Sequence, residues 1–137
     1  MTTLSLELSK ELQSVCKEKN IEMHESYFYW WKDCQEAHKG NPPVFEISHE
    51  QPDHGWQPIA PAYTLDELLE WLPNKIEKGT ATYFKTLMHN YNKEYLAYYD
   101  DGNCGWIPSS SFFQFDPNPC DACGKLLIWL VKEGYVK

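Results

Sequence analysis

Cys120-Asp121-Ala122-Cys123-Gly124-Lys125 comes nearest, in residue type and spacing, to a known chemistry. Two thiolates on a tight C-x-x-C-G-K turn grip zinc in zinc ribbons, and a structural zinc takes four ligands. No second C-x-x-C occurs, so Cys104 and one of His49 or His54 would have to complete the set. A second reading treats Cys120 and Cys123 as small apolar residues on the inner face of a final helix, in phase with Leu127 and Leu130. It needs no further ligands. No metal and no cofactor is therefore expected, and a zinc-stabilised domain stands as an alternative.

Two other groups carry reactive side chains. His49-Glu50-Gln51-Pro52-Asp53-His54 has two imidazoles and two acids, but H-E-x-x-H proteases need histidines at i and i+4 on one helix face. Here the spacing is five, and Pro52 and Gly55 point to a polar loop. Cys104 would act as a nucleophile only with a histidine and an orienting group beside it, and His89 or His54 would have to supply the base. Its Asp-Gly-Asn surroundings are those of a turn. Glu67 and Glu70 share a helix face, but Glu67 has a capping task and Glu70 reads as solvated. No phosphate loop or dinucleotide fingerprint is present. A small enzyme thus remains a further alternative, with no catalytic residue assigned.

Tyr27-Phe28-Tyr29-Trp30-Trp31 is an unbroken aromatic run. In a strand, alternation places Tyr27, Tyr29 and Trp31 on one face and Phe28 and Trp30 on the other. Large aromatics on both faces mean that the strand is either sandwiched or carries a binding surface. Tyr and Trp anchor interfaces well, so Tyr27, Tyr29 and Trp31 are the candidate interaction residues.

Composition narrows the partners. The chain has 137 residues, 42% of them hydrophobic and 15% aromatic, which predicts one ordered domain over 1–137. Its net charge is −8, and all twelve basic residues are lysine. Nucleic-acid binders need a positive footprint and favour arginine, so neither nucleic acid nor an anionic membrane surface is an expected partner. No apolar stretch is long enough to span a membrane, and Met1-Thr2-Thr3-Leu4 has no signal-peptide character. Five cysteines, an odd number, fit a reducing, cytoplasmic setting.

Three helices should position these residues. Leu4, Leu8, Leu12, Val15 and Cys16 make one stripe from about Ser5 to Lys19. Thr64 and Glu67 form a capping box ahead of Leu65, Leu68, Leu69 and Leu72, and Pro73 stops that helix. Asn118 and Pro119 start the last helix, and Gly134 ends it. Strand signals fall at Tyr27–Trp31, Pro43–Ser48, Thr80–His89 and Glu94–Tyr99, with a fifth at Ser111–Phe115. Gln57–Ala62, with two prolines, reads as an extended connector. The predicted class is α+β: an antiparallel sheet of four to five strands with three helices, in the order α-β-β-α-β-β-(β)-α.

Three segments together resemble a known group: Leu4–Leu8 with Glu25–Trp30, Thr64–Pro73, and Asp121–Leu130 ending in Glu133-Gly134-Tyr135. They are similar to small uncharacterised phage and prophage proteins of gut Bacteroidetes. Members usually carry Ala or Leu at the positions of Cys120 and Cys123, which argues against a metal or thiol role there. The resemblance implies a mobile-element accessory protein and no particular chemistry. The expected function is non-enzymatic, through binding a protein partner or a second copy.

Overall fold

The computed structural model describes residues 2–35, 39–108 and 115–137. Helix α1 spans Leu6–Glu18, strands β1, β2 and β3 span Tyr29–Asp33, Phe45–Ser48 and Trp56–Pro61, and helix α2 spans Leu65–Trp71. Strands β4, β5, β6 and β7 follow at Lys75–Lys78, Ala81–His89, Tyr95–Asp100 and Trp106–Ile107, and helix α3 at Pro119–Lys132 closes the order. The class is α+β with antiparallel pairing throughout. Among the described residues seven strands divide between two sheets, β2-β1-β3 and β4-β5-β6-β7; four to five strands were expected, and the sequence left one sheet or two undecided.

Three of the seven, β3, β4 and the two-residue β7, fall where no strand was expected. The Gln57–Ala62 connector is mostly strand β3, because Pro58 and Pro61 sit on an edge strand, where a missing N–H breaks no ladder. Strand β4 is a charged edge, Lys75-Ile76-Glu77-Lys78, with only Ile76 buried, so it carries almost no hydrophobic signal. The expected strand at Ser111–Phe115 falls largely outside the described residues.

Each helix is capped at its start. Ser5 accepts the Leu8 N–H at 3.4 Å. Thr64 and Glu67 exchange both capping-box bonds. Asn118 accepts the N–H groups of Cys120 and Asp121, at 2.9 and 3.4 Å. Gly134 ends α3 at φ +82°, and the Tyr135 N–H reaches back to the Leu130 carbonyl at 2.9 Å.

Helix α3 is the axis of the core. Cys120, Ala122, Cys123, Gly124, Leu126, Leu127, Ile128, Leu130 and Val131 are all buried, so the helix is apolar nearly all round and must be enclosed. It packs against α1, α2 and β6. Gly124 allows the close approach: a Cβ there would stand 2.3 Å from Leu4 Cδ1. Leu4 is itself fully buried, its N–H bonded to the Tyr63 carbonyl at 2.8 Å.

Candidate functional site

Helix α1 covers one face of the first sheet. The Trp30 indole donates to the Leu4 carbonyl at 3.0 Å, and Lys10 of α1 lies 5.6 Å above the Phe45 ring. Register places Ile47 and Ala60 beside Trp30, and Ala60 is buried. The opposite face is thereby set by alternation. Tyr29 pairs with Ser48 and Pro61, Trp31 with Glu46 and Pro58, and Asp33 with Trp56. A bulge between Trp30 and Trp31 lets β3 accommodate one extra residue there.

This outer face is aromatic and held in place by hydrogen bonds. The Trp31 indole donates to the Ser48 carbonyl at 3.0 Å. Tyr27, 58% exposed, lies just ahead of β1 and stacks on His49 with ring centroids 3.7 Å apart. His49 Nδ1 also lies 2.6 Å from the Tyr27 carbonyl oxygen. Glu67 then ties the start of the aromatic run to α2. Its carboxylate accepts from the Tyr27 N–H at 2.9 Å, from the Ser26 hydroxyl at 3.2 Å and from the Thr64 N–H at 2.8 Å. Tyr29 and Trp31 are half-buried and Tyr27 is exposed, so the three predicted residues share one region of surface to different degrees.

Trp56 and Pro58 join that face, although the sequence reads Pro58 as part of a connector and not of a strand. The missing signal was strand β3 itself: once it is a strand, alternation puts both opposite Trp31 and Asp33. A second partly exposed set lies on the outer face of the four-stranded sheet. Phe84, Met88 and Trp106 are 56, 39 and 48% exposed, and Trp106 meets Tyr98 edge to face. Residues 109–114, outside the described part, follow soon after β7.

The candidate metal ligands are dispersed. Cys120 and Cys123 are fully buried on α3, whereas Cys104 is exposed on the β6–β7 turn at φ +65°. Burial, and then the Asp121 charge, pushes the Cys120 thiol up to about 11. Burial, and then Cys120, pushes Cys123 up to about 12. Those are protonated core thiols at neutral pH, unlike the thiolates that bind metals. His49 is engaged with Tyr27, and His54 is exposed on the β2–β3 loop. Among the described residues, no three His, Cys, Asp or Glu side chains stand together in a metal-binding group.

The nucleophile set does not assemble around His89 either. His89 pairs with Tyr95 at one end of β6, and Cys104 follows Asp100 at the other. Five strand steps separate these ends by roughly 16 Å, well beyond hydrogen-bond reach. His54 belongs to the loop of the other sheet. Among the described residues, no helix is long and apolar enough to cross a membrane. Comparison with protein-family models, curated proteins and solved structures gave no match.

Proposed function

We propose that this protein is a non-enzymatic, cytoplasmic interaction protein, an accessory factor of phage or mobile-element type, which binds a protein partner or a second copy through the outer face of its first sheet. The observation that carries the reading is the Tyr27–His49 pair beside Tyr29 and Trp31. The Tyr27 and Trp31 rings stay partly exposed, the first held by its stack on His49 and its backbone bond to Glu67, the second by its indole bond to the Ser48 carbonyl. Rings ordered before binding lose little conformational freedom on docking, which is what an interface anchor needs. Tyr and Trp at such positions supply large contact area and a polar edge together. The net charge of −8 and the absence of arginine support a protein partner over nucleic acid.

Photo-crosslinking tests this directly. A benzophenone amino acid in place of Tyr27 should yield an adduct of discrete mass in the producing cell or in the purified protein. The same probe at Tyr91, 94% exposed on the β5–β6 hairpin, should yield none. Equal adduct patterns from the two positions would contradict the proposal.

A further inference from the structure

Beneath the end of α2 lies a cavity of about 170 Å³, walled by Leu72, Leu87, Ala97 and Leu126 and bordered by Lys85 and Cys123. Its walls come from α2, β5, β6 and α3, and the lining is mostly apolar, with Lys85 and Thr86 its polar side chains. Lys85 is the one cationic side chain in that lining. Its ammonium donates to the carbonyls of Leu69 and Leu72, at 2.5 and 3.3 Å, where α2 runs out at Pro73. An ammonium carries three N–H donors. Two close the end of the helix, and the third has no protein acceptor among the described residues. Among the described residues the ion pairs join Lys75 to Glu77, Lys125 to Asp116 and Lys132 to Glu11, and none of them includes Lys85.

We propose that this cavity binds a short-chain aliphatic monocarboxylate, its tail among Leu72, Leu87, Ala97 and Leu126 and its carboxylate on the free N–H of Lys85. The fit is one of size and charge. An apolar cavity of about 150 Å³ holds one benzene, so this one takes about six non-hydrogen atoms. Butyrate has that size. A carboxylate supplies the anionic acceptor that the two backbone carbonyls cannot, and a charge-assisted bond is about twice as strong as a neutral one. Longer chains exceed the volume, and a dianion leaves one charge unpaired in an apolar wall.

The test is an NMR titration of the whole protein with butyrate, and with butyramide as its neutral counterpart. Saturable shifts of the Leu87 and Leu126 methyls are expected with butyrate, and binding about tenfold or more weaker is expected with butyramide. Ala97→Leu, which fills the cavity, should abolish the butyrate shifts while the remaining spectrum stays folded. Lys85→Met should reduce butyrate binding to the butyramide level. If that variant does not fold, the butyrate–butyramide comparison in the unaltered protein decides. Equal affinity for the two probes, shifts that survive Ala97→Leu, or no saturable shift would each overturn the proposal.

Discussion

Raising the pH from 8 to 10 should cost this fold about 3 kcal/mol, and Cys120 and Cys123 should account for most of it. Both thiols are fully buried, with folded values of about 11 and about 12, against an ordinary thiol value of 9.0. Between the ordinary and the folded values, the folded protein holds protons that the unfolded chain has released. Stability therefore falls as pH rises above about 9, and it is intact below. Each thiol loses about 1.4 kcal/mol per pH unit in that window, so the pair loses about 3 kcal/mol by pH 10. For a domain of this length that is a drop of roughly 10 °C in Tm. The phenols of Tyr63 and Tyr99 are also pushed up by burial and add their own loss above pH 10, so the assay stops there. Urea denaturation of the protein and of a Cys120→Ala/Cys123→Ala variant, at pH 8 and pH 10, measures the effect. The variant should be less stable at pH 8, because it loses two buried sulfur atoms, but much flatter between the two pH values. An equal pH-dependent loss in both proteins would refute the assignment of these cysteines as protonated core residues.

Other consequences follow from the same packing. A thiol reagent at pH 8 should modify Cys104 first, and Cys16, Cys120 and Cys123 only on unfolding, as read by intact-mass spectrometry in rising urea. Glu67→Ala removes the acceptor of the Thr64, Ser26 and Tyr27 donors, so it should cost about 2 kcal/mol and speed hydrogen exchange at the Tyr27 amide. Gly124→Ala gains about 1 kcal/mol in helix propensity but drives a Cβ into Leu4. Overpacking of about 1–3 kcal/mol should make the net change destabilising, and in a Leu4→Ala background the sign should reverse.

How much was legible depended on the range of each interaction. Two helix starts were readable because caps act within one turn: Thr64 with Glu67, and Asn118 with Pro119, sit where their local chemistry requires, whereas α1 was readable from its apolar stripe. The apolar character of Cys120 and Cys123 was readable from their phase with Leu127 and Leu130. Strand β3 was hidden by its prolines, whose meaning changes once the strand is known to be an edge. Strand β4 was hidden by its charges. The tether from Glu67 to Tyr27 spans forty residues, and the stacking of His49 on Tyr27 spans twenty-two. Neither leaves a local pattern, so the aromatic run could be marked as a candidate surface without revealing what holds it. Only the register of the sheet fixes Trp56 opposite Asp33 on that face.

The central claim is that the outer face of the first sheet binds a protein, and comparative binding tests it most directly. The measurement is the affinity for the captured partner, or for self-association by sedimentation, of the unaltered protein, Tyr27→Ala/Trp31→Ala and Phe84→Ala. Loss of two aromatic anchors should weaken binding about 30-fold or more, since one such anchor is worth about 2 kcal/mol. Phe84→Ala, on the other sheet, should leave it unchanged. Undiminished binding by a folded Tyr27→Ala/Trp31→Ala variant, or loss confined to Phe84→Ala, would contradict the account.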